Sequence, residues 1–218
     1  MIKVKFPVIR YLQLCLVSGC LLSSAYTLAE EATVSSPAKT PEENVRLAEE
    51  AFDKSDIVSA MRFYRKAAEA GYGPAMSRLA YLLDKSEEDE EAITWLKKAV
   101  QLGEAEGQFE LARMYAYGEG IKQDKKLAFE LFKKSANQQY TPAIRVLALA
   151  YENGDLGLRA DYELAQHWLK RGQLANDYWS LKRLAQAYRK GDLGLRINNQ
   201  KAEQLEQQLA PLLERTDQ

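Results

Sequence analysis

Two series of small and bulky apolar positions run in step along this chain. The dipeptide Leu-Ala recurs at Leu47-Ala48, Leu79-Ala80, Leu111-Ala112, Leu147-Ala148 and Leu184-Ala185, at steps of 32, 32, 36 and 37 residues. Four places after each Leu stands Ala51, Leu83, Tyr115, Tyr151 or Tyr188; four places before the last four stands Ala75, Gly107, Ala143 or Ser180. Residues four apart share a helix face, so each copy predicts an amphipathic helix with small residues on its contact stripe. The second series is Ala60, Ala92, Ala128, Ala165 and Ala202, at steps of 32, 36, 37 and 37. Bulky residues follow three and four places on: Phe63-Tyr64, Trp95-Leu96, Leu131-Phe132 and Trp168-Leu169, weakening to Leu205-Glu206 in the fifth copy.

Two helices per period follow. One such pair cannot bury its apolar face alone, whereas stacked pairs form a continuous core. An irregular helical bundle would explain the amphipathic character but not the constant period. The repeats run at about 41–71, 73–103, 105–137, 141–173 and 177–210. Thr40-Pro41-Glu42-Glu43 predicts an N-cap with Pro at the first helical position, Thr141-Pro142 the same, and Gly73-Pro74 a weaker version. Asp124 and Asp161 are placed to cap second helices. Ser86 is expected to cap the helix opened by the acids Glu87 to Glu91. Gly71 and Gly103 are placed as helix stops, and Pro211 is expected to end the last helix. Repeats three to five carry extra residues between their helices, with glycines suited to positive φ: Gly118-Glu119-Gly120-Ile121, Gly154-Asp155-Leu156-Gly157 and Gly191-Asp192-Leu193-Gly194.

The stretch from Gly107 to Ala128 reads small-x-x-x-Leu-Ala-x-x-Tyr-x-x-Gly-x-Gly-Ile-x-x-Asp, then Leu-Ala. It resembles the Sel-one-like subclass of tetratricopeptide repeats, and the resemblance covers residues 41–210. Repeats one and two lack the glycine turn and look like plain tetratricopeptide units; Asn198 replaces the capping Asp in the fifth. The resemblance implies an all-α fold, a right-handed superhelical solenoid of about five antiparallel helix pairs whose first helices line a concave groove. It also implies a role as adaptor, assembly scaffold or recognition module. That inference is by analogy of fold.

The first 29 residues break the pattern. Lys3, Lys5 and Arg10 precede an apolar stretch from Tyr11 to Ala29, and no acid appears before Glu30. This is the layout of a signal peptide, short and polar-studded for a membrane span of about 20 apolar residues. Ala25 and Ala29 suit ordinary cleavage, whereas Val17-Ser18-Gly19-Cys20 looks like a lipobox with Cys20 as the lipidated residue. The residues after Cys20 stay apolar, which favours a soluble periplasmic product over a membrane-anchored lipoprotein. Residues 30–39 then form a polar linker before the repeat domain of residues 40–218. Both cysteines, Cys15 and Cys20, fall in the leader, so the mature chain offers no disulfide or thiolate metal site. Without Lys3, Lys5 and Arg10, 27 cations face 31 acids, a net charge of −4 that gives no reason to expect nucleic acid.

Chemistry is sparse. His167, the single histidine, lies beside Trp168 and reads as a solvated or packing residue. One His without Cys cannot build a usual zinc site, and no phosphate-binding or nucleophile motif occurs. The sequence thus predicts no catalytic, cofactor or metal residues. Residues at −5, −2, +2 and +5 from each Leu should share the exposed stripe of the first helices. From them come the candidate partner-binding residues Tyr81, Phe109, Arg113, Arg145, Leu149, Trp179, Lys182, Gln186 and Arg189. Aromatics and Arg dominate binding energy at interfaces. The expected function is an exported, non-enzymatic, monomeric scaffold holding a protein or peptide in this groove. Recognition of polysaccharide or cell-wall material is the alternative, and a carboxylate hydrolase a weaker third.

Overall fold

The computed structural model describes residues 39–213. The leader of residues 1–29, its Cys20 and all of the linker before Lys39 lie outside the described residues. Among the described residues ten helices follow one another: α1 (Pro41–Asp53), α2 (Ile57–Glu69), α3 (Gly73–Lys85), α4 (Asp89–Gln101), α5 (Ala105–Tyr117), α6 (Lys125–Asn137), α7 (Thr141–Asn153), α8 (Tyr162–Leu174), α9 (Tyr178–Lys190) and α10 (Asn199–Leu213). Each odd-numbered helix packs on the even-numbered one after it, and each pair packs on the next; α3 also touches α5 directly. This is a helical solenoid with one continuous core.

The core is the two sequence series. Ala60, Ala92, Ala128, Ala165 and Ala202 are all fully buried, as are Ala48, Ala80, Ala112 and Ala148. Leu79, Leu111, Leu147 and Leu184 are buried beside them. A methyl side chain is the largest that fits where two helix backbones meet closely, and Trp95, Phe132 and Trp168 fill the spaces between pairs. Gly107 shows how tight the approach is. A Cβ there would lie 2.6 Å from the Ala99 Cβ and 2.9 Å from the Ser77 Oγ.

Side chains close the helix ends largely as the sequence predicts. Thr40 Oγ1 accepts from the Glu43 N–H at 3.1 Å, Asp124 from Leu127 at 2.9 Å and Asp161 from Leu164 at 3.0 Å. Asn198 does the same for Lys201 at 2.9 Å, so the Asp-to-Asn change preserves the cap. Four expectations fail, the first at Gly73, which is the first helical residue of α3 with Tyr72 in the N-cap position. Thr141 is the first helical residue rather than a cap, with Tyr140 in the N-cap position. Ser86 closes α3 instead of opening α4: its hydroxyl donates to the Leu82 carbonyl at 3.0 Å, and Glu88 takes the cap position of α4. Pro211 does not end α10, which runs on to Leu213. The proline ring enforces a helical φ and removes only one hydrogen bond near a helix end, so two more residues can follow it.

The longer turns of repeats four and five share one backbone shape. Gly154 and Gly191 leave their helices at φ 77° and 72°, where a side chain would be strained, and Leu156 and Leu193 follow at φ 55° and 53°. That conformation costs a leucine about 1–2 kcal/mol, which burial of Leu193, 1% exposed, offsets with about 1.5–3 kcal/mol. Each turn is drawn shut by the capping residue, whose amide donates to a tyrosine carbonyl: Asp161 to Tyr151 at 2.7 Å and Asn198 to Tyr188 at 2.8 Å. Asp124 donates to Tyr115 at 2.9 Å in repeat three.

Arginines tie neighbouring repeats together. Arg65 on α2 pairs with Glu91 on α4, whose carboxylate also accepts from the Trp95 indole at 3.0 Å. These two donors, Arg65 first, hold the Glu91 carboxyl below its ordinary value of 4.5. Arg171 on α8 donates to Asn137 Oδ1 at 3.0 Å and to the Ala136 carbonyl at 2.9 Å.

Two outcomes follow for stability. In an ordinary helix Gly→Ala stabilises by up to about 1 kcal/mol; here Gly107→Ala should destabilise by about 1–3 kcal/mol through overpacking, read by urea unfolding. A gain in stability would contradict the close approach. A carboxyl with a lowered folded pKa contributes stability above its unfolded value that is lost as pH falls through the folded one. Glu91→Gln should therefore lower the melting temperature at neutral pH, with the deficit shrinking below pH 4.5. A deficit independent of pH would count against the ion pair.

Candidate functional site

The first helices α3, α5, α7 and α9 present one common face. On α3 its exposed residues are Pro74, Arg78, Tyr81 and Lys85. The register is therefore −5, −1, +2 and +6 from the spine leucine, not −5, −2, +2 and +5. Ser77, at −2, is fully buried beneath α5, in contact range of Gly107.

Of the residues singled out from the sequence, Tyr81, Leu149, Lys182, Gln186 and Arg189 are exposed. The Lys85 ammonium stands 5.5 Å from the Tyr81 ring centre. Phe109 is half-buried, edge-on to Phe132 at 5.5 Å and tilted against Tyr140 at 5.4 Å. Arg113 reaches across repeats to Asp84 at 2.7 Å and binds Glu110 at 3.1 Å and Glu119 within its own repeat. Arg145 likewise crosses to the buried Asp177, its Nε 2.8 Å from Oδ1. That carboxylate also caps α9, accepting from the Ser180 N–H at 2.9 Å and hydroxyl at 2.7 Å. Trp179, Lys182 and Gln186 share a shallow depression of about 140 Å³ with Arg183. Arg189 leans away onto α10, bound to Glu206 at 2.6 Å.

Arg183, not among the candidates, does for α7 and α9 what Arg113 does for α3 and α5. It binds Glu152 of the preceding repeat at 2.6 Å and Asp192 of its own turn at 2.8 Å. With Arg78 and Glu106 at 3.4 Å, the face carries ion pairs between α3 and α5 and between α7 and α9. Among the described residues no ion pair joins α5 to α7. There a cleft of about 490 Å³ opens instead, walled by Phe109 and Ala116 from α5 and by Val146, Leu149 and Ala150 from α7. Phe132 lies at its base, with Tyr117, Lys125, Asn153 and Asp155 at the rim. Its size falls within the range of about 300–1,000 Å³ typical of ligand pockets, and its lining is mostly apolar. The cleft brings together Phe109, Arg113 and Leu149; the smaller depression holds Trp179, Lys182 and Gln186. Tyr81, Arg145 and Arg189 line neither. Tyr117 and Val146 were missed because the assumed register ran +5 and −2 where the exposed one runs +6 and −1.

One acid of this face, Glu106, is shielded. Burial pushes the Glu106 carboxyl above its ordinary value, with Arg78 opposing the shift. Burial, with Glu106 and Glu110 nearby, pushes the Tyr140 hydroxyl up to about 12, so it stays protonated. His167 is exposed, its ring 5.5 Å from that of Trp168. Among the described residues no group of three or more His, Cys, Asp or Glu side chains is placed to hold a metal ion, and no helix is long and apolar enough to cross a membrane.

Comparison with known proteins matches these features. The Sel1 repeat profile fits residues 52–72, 73–104, 105–140, 141–172 and 180–208. An uncharacterized protein of Neisseria meningitidis is 30% identical over 118 residues, 54% of this chain and 25% of its own length. The ERAD-associated E3 ubiquitin-protein ligase component HRD3A of Arabidopsis thaliana is 29% identical over 139 residues, 56% of this chain and 20% of its own. The chain thus spans a quarter or less of these relatives. The crystal structure of a Sel1 repeat protein from Oxalobacter formigenes superposes with a TM-score of 0.70 at 24% identity, covering 78% of this chain and 70% of that one. Five matched repeats over most of the solenoid place the chain in the Sel1 repeat family.

Proposed function

We propose that this protein is an exported, non-catalytic scaffold that holds a polypeptide segment across the faces of α5, α7 and α9. The observation that carries this reading is the cleft between α5 and α7. An apolar, water-facing concavity of about 490 Å³ is costly to hydrate and gains free energy when an apolar side chain fills it. It interrupts a face otherwise closed by ion pairs, and the Trp179 depression extends the same face by one repeat. Sel1 repeats are in general a scaffold for protein interaction, and a relative described as a ligase component fits that use. The basic, then apolar, leader with no acid before Glu30 supports export, and the apolar run after Cys20 favours a soluble periplasmic chain. The scaffold acts as a single chain.

In this reading the residues that bind differ from those that brace. Leu149 and Lys182 project from the face without an ion pair, so Leu149→Asp with Lys182→Glu should abolish partner capture from envelope extracts while leaving helical content unchanged. Capture undiminished by this pair of changes would remove the groove from consideration. Arg113→Met, by contrast, leaves the mostly buried Glu110 without its partner and Asp84 with Lys85 alone. It should cost about 1–3 kcal/mol of unfolding free energy. An Arg113→Met protein as stable as the parent would show that the guanidinium braces nothing. Export is read by N-terminal sequencing of the mature chain from a periplasmic fraction: a start near Glu30 is expected, and an intact leader on cytoplasmic protein would contradict it.

A further inference from the structure

The charges of the first-helix face are nearly balanced in number and unequal in reach. The carboxylates on its helices lie low: the side chains of Asp84, Glu106, Glu110 and Glu152 are 10%, 19%, 13% and 19% exposed, and the capping Asp177 only 2%, whereas Glu119, Asp155 and Asp192 stand out in the turns that follow the helices. Its cations stand out: Arg78 and Lys85 are 56% and 57% exposed and Arg145 43%. Lys182 is exposed and makes no salt bridge among the described residues. The acids are held down by what they do. Asp84 and Glu152 receive arginines from the following repeat, Asp177 caps α9, and Glu106 is packed against α3. A ligand lying along the helices therefore meets positive charge first, and acids only at the turn ends. Lys85 and Arg78 lie on the α3 side of the apolar cleft, Arg145 and Lys182 on the α7 and α9 side. Along the helices the cleft is bracketed by cations, while at its turn end the rim carries both Lys125 and Asp155.

We infer that the partner segment is acidic: an aliphatic or aromatic side chain enters the cleft between Phe109 and Leu149, and Asp or Glu residues on both sides of it meet Arg78, Lys85, Arg145 and Lys182. This rests on the groove reading above and narrows it to one class of polypeptide. Apolar burial supplies the affinity, and the exposed cations supply attraction at a distance and rejection of basic segments. Because these cations are open to solvent, their contribution is screened by salt.

The test uses the full mature protein and four labelled synthetic peptides, read by fluorescence anisotropy. One has a central Leu flanked by Asp and Glu; the others replace the acids by Asn and Gln, the acids by Lys, or the Leu by Ser. The acidic Leu peptide should bind at least about tenfold more tightly than each of the others, a gap of about 1.4 kcal/mol. Its binding should weaken as salt rises. Lys85→Glu with Lys182→Glu should weaken it about tenfold with no change in helical content, and Leu149→Asp should abolish it. Equal binding of the neutral peptide, lost in Leu149→Asp and indifferent to Lys182→Glu, would overturn the acidic partner and leave the groove in place. Binding of no peptide, or binding unaffected by Leu149→Asp, would overturn both. Polygalacturonate is the control for anionic polysaccharide: competition by it at equal charge, with the Ser peptide binding as well as the Leu peptide, would also reject an apolar-anchored acidic polypeptide.

Discussion

Close approach of helix backbones at alanine is the constraint on which this structure depends. Nine spine alanines with no exposed surface set the distance between helices within and between pairs. Once that distance is set, much else follows. Gly107 has no room for a side chain, the aromatic residues fill the wider spaces, and the spine leucines form a single file through the molecule. A larger residue at any of these points would have to be accommodated by shifting a whole helix, since a packed core does not yield locally. Regularity of the period is the sequence-level trace of that rigidity.

Charge works on top of this spacing. Each arginine that crosses a repeat boundary finds an acid or carbonyl on the neighbouring repeat: Arg113, Arg171 and Arg183 reach back, Arg65, Arg78 and Arg145 forward, and on the first-helix face the acids so engaged are largely withdrawn from solvent. On the first-helix face this lacing joins α3 to α5 and α7 to α9. Between repeats three and four it shifts to the other helices, through Arg171 and the end of α6. The apolar cleft lies where the lacing on the groove side is missing. Bracing and binding are thus divided among the cations: Arg113 and Arg183 are largely withdrawn to hold the repeats together, Arg78, Lys85 and Arg145 each pair with an acid yet stay open to solvent, and Lys182 makes no salt bridge among the described residues.

Much of the fold was legible in the chain because its signals are local or periodic. The Leu-Ala series, the capping Asp124 and Asp161, and the glycine turns each act within a few residues, and each is found in the structure. What failed was what depends on a neighbour. Ser86 turned back to α3, where its amide and its hydroxyl both donate to the Leu82 carbonyl, and Ser77 was hidden by the arrival of α5. The site was legible only in part for the same reason. Periodicity assigned Phe109 and Leu149 to one face, but not the ion pairs of Arg113 and Arg145 with acids 29 and 32 residues away in sequence. It also could not locate the cleft, which is made by an absence of pairing between two helices. Arg183 was missed because it lies one place from the spine leucine, a position that the assumed register treated as buried.

The two most exposed apolar side chains do not lie on this face: Leu174 is 85% and Val58 81% exposed, against 39% for Leu149. That contrast provides the most direct test of where the partner binds. A photo-crosslinking amino acid is placed at Leu149, Leu174 or Val58, one at a time, in the full chain in living cells, and the products are read by mass spectrometry. The cleft between α5 and α7 predicts a defined protein adduct from Leu149 and none from the other two. Adducts from Leu174 or Val58 with none from Leu149 would contradict it.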